Sequence, residues 1–232
     1  MHRESTGVAD DRSTARSRYF PPLSWADEHG LLMLGGKLTP EWLLDAYSRG
    51  IFPWPIIAPE GALLAWFSPD PRAILKLDRL HVSRRLRRRL RSGAYEVTRD
   101  ADFAAVVAGC AEPRSGHEGT WITPEMAAAY CELHWLGHAH SVEVWQEGRL
   151  VGGVYGVALG GLFAGESMFH RRRDASKIAL VHLVEHLRQR GFSLFDIQQW
   201  TPHLGRMGAI EIPRAEYVRR LRKAVSAPVS FA

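Results

Sequence analysis

The sequence predicts an α+β protein: a small N-terminal domain over residues 19–61, then a mixed β-sheet flanked by helices over residues 62–232. Three observations carry this. Hydrophobic residues make up 46% of 232, enough to fill a large core and too many for a disordered chain. Proline and glycine cluster from Pro59 to Gly61, where neither a helical nor a strand period continues. Beyond residue 140 the pattern runs strand, strand, strand, helix, strand, helix, which places helices on a sheet rather than in a bundle.

The elements follow in order. Residues 1–18 are polar and mixed in charge, without an apolar run, and read as a disordered tail rather than a secretory signal. Thr39-Pro40-Glu41 opens a helix that Gly50 ends, with Leu43, Leu44 and Tyr47 on its apolar face. Ala65 to Leu75 reads as strand, proline-rich turn and strand around Ser68-Pro69-Asp70-Pro71-Arg72. Ser83 caps a short helix with Val82, Leu86 and Leu90 as its stripe. Tyr95 to Thr98 alternates as a strand, and helices start at Asp100 and at Thr123-Pro124. Ser141–Trp145 and Leu150–Ala158 form a hairpin, and Leu162–Phe169 is the next strand. A helix capped by Asp174 or Ser176 runs to Gly191, with Leu180, Leu183, Val184 and Leu187 facing inward. Phe192–Gln198 is a strand, Pro202–Met207 a helical turn, Glu211–Pro213 extended and Arg214–Val225 helical.

Charge narrows the function. The net charge is +5 and the pI about 9.5, a balance that suits a polyanionic partner. The positive charge is also concentrated. Arg84, Arg85, Arg87, Arg88, Arg89 and Arg91 crowd one short helix, with no acid between Leu80 and Tyr95 to offset them. Arg171, Arg172 and Arg173 form a second group. Both are candidate phosphate contacts, because each neutralised phosphate releases counterions. Two cysteines without a CxxC spacing point to a reducing cytoplasm, and no apolar run reaches the length of a membrane span. Cys131, His134, His138 and His140 have ligand-like spacing, but they straddle a helix end and a strand start, so no metal site is expected.

Three residues could carry chemistry, with a buried polar pair that fixes strand register (Asp196, Gln198) and a solvent-facing strand residue (Glu166) as the alternatives. In a strand, positions i and i+2 share a face, so Asp196 and Gln198 project together from Phe192–Gln198. A carboxylate inside so apolar a strand is costly unless paired or used. Glu166, after Gly165, interrupts the apolar run Leu162-Phe163-Ala164 in the same way. The order of elements occurs in acyl-CoA N-acetyltransferase-like folds, where glycine-rich backbone at a helix N-terminus cradles pyrophosphate. The corresponding loop here, His170 to Ser176, has three arginines and no glycine, so coenzyme A is not the expected donor and no cofactor is expected.

The chain resembles the leucyl/phenylalanyl-tRNA–protein transferase family. The matching motifs run from Phe20-Pro21-Pro22 to Tyr217: Gly30-Leu31-Leu32 with Gly35-Gly36, Tyr47 through Trp54, Ser68 through Arg72, Thr120 through Thr123, Leu136 through Trp145, Val151 through Ala158, Gly165 through Phe169, Ala175-Ser176-Lys177, Asp196-x-Gln198, and Gly208-Ala209 followed by Glu211 through Arg214. The resemblance implies transfer of Leu or Phe, and by extension Met, from aminoacyl-tRNA to an N-terminal Arg or Lys of a protein, marking it for the bacterial N-degron pathway. It implies that Glu166, Asp196 and Gln198 form the catalytic group and that Trp54 and Trp121 hold the terminal adenosine. It places Phe163 and Met168 in the aminoacyl pocket, together with Val154, Leu183, Leu187 and Phe195, where family members commonly carry other side chains. Ile197 stands where Cys or Thr is common, and Lys37 where Asp is frequent. A monomer is expected. The rival expectations are a CoA-dependent N-acetyltransferase and a non-catalytic RNA-binding protein.

Overall fold

A computed structural model describes residues 17–58, 61–113 and 120–232. The expected tail, as far as residue 16, and Pro59 and Glu60 of the expected boundary lie outside these residues.

Alternation from Ala139 onward builds the main sheet. β8 (Ala139–Gln146) and β9 (Arg149–Leu159) form the hairpin, and β10 (Leu162–His170) pairs antiparallel with β9. α5 (Ala175–Arg190) then crosses over, and β11 (Leu194–Gln198) returns parallel to β10. β6 (Arg72–Leu75), β7 (Glu96–Arg99) and β12 (Ala209–Ile212) complete seven strands in the order β12-β6-β11-β10-β9-β8-β7. This is the mixed sheet that the sequence predicts, with one parallel pair at its centre.

Helices cover both faces. α5 and α2 (Arg84–Leu90) pack on one face, over Val142, Val144, Val154, Phe163, Phe195 and Ile197. α3 (Phe103–Ala111) and α4 (Pro124–Trp135) pack on the other, over Tyr155, Val157 and Ala164. Ser83, Asp102 and Thr123 accept from backbone N–H groups at the starts of α2, α3 and α4. α3 therefore begins two residues later than Asp100, whose carboxylate binds His140 and the Ser141 amide instead.

The N-terminal part contains strands that its sequence hides. β1 (Leu31–Leu34) and β2 (Phe52–Pro53) flank β5 (Ala65–Phe67), and β3 (Ile56–Ala58) pairs with β4 (Gly61–Leu63). β5 lies beyond the boundary expected near residue 61, yet its partners are both N-terminal strands. With α1 (Pro40–Ser48), this sheet buries Trp66, Leu43 and Tyr47 in the same core as α3 and α4.

Candidate active site

The central parallel ladder ends at the pair Ala164 and Asp196, and both strands bulge immediately beyond it. The β10 irregularity lies between Gly165 and Ser167, and that of β11 between Asp196 and Gln198. Bulges re-aim side chains next to functional sites. Here they turn Glu166 and Gln198 toward each other, and the Gln198 Nε2 donates to Glu166 Oε1 at 3.0 Å. Gly165 is required at this level, because a Cβ there would stand 2.8 Å from the Phe195 ring.

Asp196 anchors the arrangement from below. Its Oδ1 accepts from Arg72 Nε at 2.9 Å and from the Gln198 backbone N–H at 3.0 Å. Its Oδ2 accepts from Arg72 Nη2 at 2.6 Å and from the Tyr217 hydroxyl at 2.7 Å. Four donors occupy a carboxylate that is 1% exposed, so Asp196 does not stand free to receive a proton from a substrate amine. Gln198 has φ of 56°, a left-handed conformation that costs about 1–3 kcal/mol in a non-glycine residue. The bond to Asp196 and the bond to Glu166 hold it there.

Arg72 was not singled out by sequence as a site residue. It is 1% exposed, and its third donor, Nη1, reaches the Gly50 carbonyl at 2.9 Å. Its guanidinium also lies over the Phe52 and Tyr217 rings, 4.8 and 4.6 Å from their centroids. The available signal was two opposite charges, each inside an apolar strand, which must meet if both are buried.

Glu166 sits at the edge of this group, partly exposed. Its Oε2 accepts from the Tyr130 hydroxyl at 2.6 Å, and Tyr130 shares a hydrogen bond of 2.9 Å with Tyr47. Burial is the largest influence on its acidity and pushes the carboxyl up to about 7. The two tyrosine hydroxyls and Arg72 oppose that rise, and Asp196 adds to it. Tyr47, Tyr130 and Tyr217 are further site residues missed by sequence. Tyr130 looks like an ordinary apolar-face residue of α4 until its hydroxyl finds Glu166.

Trp54 and Trp121 come together, with ring centroids 4.6 Å apart and planes 13° apart. The six residues of the expected aminoacyl pocket also come together, all on the α5 face of the sheet. Val154, Phe163, Leu183, Leu187 and Phe195 are each no more than 4% exposed. Only Met168 of the six reaches the surface, beside Glu166.

The arginines divide. Arg84, Arg85 and Arg88 are exposed and line a groove of about 460 Å³ together with Arg89 and Ser92. Arg87, Arg91, Arg172 and Arg173 are exposed as well. Arg89 is half-buried and ion-paired to Asp174 at 3.0 Å, and it donates to the Tyr95 hydroxyl and the Arg173 carbonyl. Arg171 is paired with Glu112. Asp174, with φ of 68°, caps the α5 N-terminus in position, and Lys177 joins its carboxylate at 3.4 Å. The Asp174 carboxylate is thus taken up by Arg89 and Lys177 and makes no bond to the α5 N-terminal amides.

The histidines regroup without Cys131 and His138. Ligand-type atoms of Asp100, His134 and His140 lie within 4.8 Å of one another. They are engaged within the protein: His140 Nδ1 with Asp100 at 2.7 Å, and His134 Nδ1 with the Ala139 carbonyl at 2.8 Å.

Comparison with known proteins identifies the family. Residues 74–222 match the family model described as leucyl/phenylalanyl-tRNA protein transferase, and residues 36–70 match that of its N-terminal domain. The chain is 56% identical over 211 residues to the leucyl/phenylalanyl-tRNA–protein transferase of Stutzerimonas stutzeri, covering 90% of this chain and 92% of that protein. It is 52% identical over 217 residues to that of Pseudomonas entomophila, covering 93% and 95%. A solved GCN5-related N-acetyltransferase from Kribbella flavida superposes with a TM-score of 0.37 at 12% identity, over 75% of this chain and 61% of that one. The chain belongs to the leucyl/phenylalanyl-tRNA–protein transferase family.

Proposed function

We propose that the chain transfers Leu or Phe from the 3′ end of an aminoacyl-tRNA to the α-amine of a protein that begins with Arg or Lys. The bond between Gln198 and Glu166, backed by the saturated Asp196, is the observation that carries this reading.

The chemistry needs positioning more than a strong base. The donor is an activated ester, and a free α-amine has a pKa of about 7.7–8.0, so part of it is neutral near pH 7. The amine nitrogen attacks the ester carbonyl, the C–N bond forms, and the carbon–oxygen bond to the ribose breaks. The proton lost by the amine ends on the leaving ribose oxygen. With Nε2 committed to Glu166, the Gln198 amide oxygen is the atom left to accept from the attacking amine. Asp196 acts through Gln198 by fixing its backbone. Glu166, near neutrality in its acidity, relays the proton and holds the positive acceptor terminus.

The donor is gripped at three places. Trp54 and Trp121 offer aromatic faces to the terminal adenine. The exposed arginines of α2 and of the loop before α5 contact phosphates. The aminoacyl side chain enters past Met168 toward Phe163 and Phe195. No helix among the described residues is long and apolar enough to cross a membrane. Action in the bacterial cytoplasm, upstream of N-degron proteolysis, completes the reading. The test is incubation with Phe-tRNA and an Arg-initiated peptide. A mass gain of one Phe residue is expected, and no gain with either Leu-tRNA or Phe-tRNA overturns the proposal.

A further inference from the structure

The last residues of the chain do not trail away from α7 (Arg214–Val225). They run back under α5, where Arg190 Nε donates to the Ser230 carbonyl at 2.9 Å and His186 Nε2 meets the Phe231 carbonyl at 2.7 Å. Phe231 is 3% exposed, although it is the penultimate residue.

Its ring meets four others. The His140 imidazole stacks on it at 4.2 Å with planes 12° apart, and Phe163 lies near parallel to it at 5.7 Å. His186 and Phe192 meet it edge-on at 4.5 and 6.4 Å. His140 is fixed in turn, through Nδ1 to Asp100 at 2.7 Å and Nε2 to the Gly137 carbonyl at 3.2 Å. Phe231 thus packs against both a hydrogen-bonded imidazole and Phe163. Phe163 has little freedom of its own. A Cβ on Gly156 would stand 2.6 Å from its ring, and Phe195 meets it edge-on at 5.5 Å.

We propose that Phe231 is a specificity-determining positioning residue, which props Phe163 against Phe195 and thereby sets the depth of the aminoacyl pocket. This rests on the pocket assignment above. Phe231 touches neither Glu166 nor Gln198 in the ring and hydrogen-bond contacts described. Its effect therefore falls on which acyl group is accepted. A smaller residue lets Phe163 retreat and deepens the pocket. A larger one drives Phe163 forward and shortens it.

The experiment compares the protein with Phe231→Ala, Phe231→Leu and Phe231→Trp, using tRNA charged with Leu, Phe or Trp and one Arg-initiated peptide. The quantity read is the ratio of kcat/KM values for Phe over Leu. One methylene of pocket depth discriminates by about 10–200-fold, so a rise of about tenfold is expected for Phe231→Ala, with new use of Trp-tRNA. Phe231→Leu gives a smaller rise and Phe231→Trp a fall. Ratios within twofold of wild type in the folded variants overturn the inference, because a merely structural role lowers both donors together. If Phe231→Ala does not fold, Phe231→Leu and Phe231→Trp decide by their opposite signs. Absence of transfer by the wild type overturns the proposed function itself, a result distinct from unchanged ratios.

Discussion

Arg72 and Asp196 form a two-point ion pair across neighbouring strands, at 2.9 and 2.6 Å, with both side chains 1% exposed. Arg72 is held well above its ordinary basicity by the Asp196 charge in spite of its burial. Breaking a buried pair from one side leaves an uncompensated charge, at about 3–5 kcal/mol. Asp196→Asn and Arg72→Met should each lose about that much in urea denaturation, alongside their loss of transfer. The double variant should regain part of the stability and none of the activity. A double variant no more stable than the worse single one would contradict this account.

Glu166 predicts a pH signature. Its carboxyl is raised to about 7 by burial, so it gains charge as pH rises through neutrality. The acceptor amine loses its proton at about 7.7–8.0. The kcat/KM of the wild type should rise with pH through two ionisations, and Glu166→Gln should keep only the upper one. Stability should follow the opposite course. A raised carboxyl favours the fold fully below its ordinary value of 4.5, and that contribution disappears as pH rises through about 7. The Tm of Glu166→Gln should therefore gain on wild type between pH 5 and pH 8.

Gln198 separates reach from backbone strain. Asn tolerates left-handed φ almost as well as any non-glycine residue, but its amide is one methylene too short for Glu166. Gln198→Asn should remain within about 1 kcal/mol of wild-type stability by thermal unfolding, the range of one lost hydrogen bond. Its kcat should fall by about 10²-fold, the scale of one removed catalytic hydrogen bond.

The Trp54–Trp121 stack should part or be extended when adenosine binds. The exciton signal of the stacked indoles in near-ultraviolet circular dichroism should change when aminoacyl-tRNA is added. Trp54→Ala and Trp121→Ala should each weaken aminoacyl-tRNA binding by about 1–3 kcal/mol, the worth of one base stack. The effect should appear in KM before kcat.

The arginines of α2 should behave as two classes. Arg85→Ala should lower the slope of log K against log salt by about one, as expected for one lost phosphate contact. Arg89→Ala should instead lower Tm, since Arg89 ties α2 to Asp174 at the start of α5. Equal salt slopes for the two variants would refute the division.

Strand and helix order after residue 140 was legible because period-2 and period-3.6 patterns there are long and uninterrupted. The strands β1 to β4 were not, because they are two to four residues long, and β1 and β2 take their partner β5 from farther along the chain. Glu166, Asp196 and Gln198 could be found because polar residues interrupt apolar strands. Their order within the site could not. That Asp196 is sealed by four donors depends on Arg72 and Tyr217, which lie 124 and 21 residues away. Tyr47 and Tyr130 are 83 residues apart, and each fits an apolar helix face whether or not its hydroxyl is used. The arginine run reads alike at every position, and only the tertiary structure shows which one turns inward.

The guanidinium of Arg72 also reaches back to the carbonyl of Gly50. The two family models meet around it: one ends at residue 70, the other begins at residue 74, and Arg72 belongs to neither. The Arg72 contact ties residue 50 to the strand that carries Asp196. A catalytic half expressed without residue 50, or grafted behind a foreign partner, would carry a buried cation with an unanswered donor directly beneath Gln198. The seam between the halves runs through the candidate site.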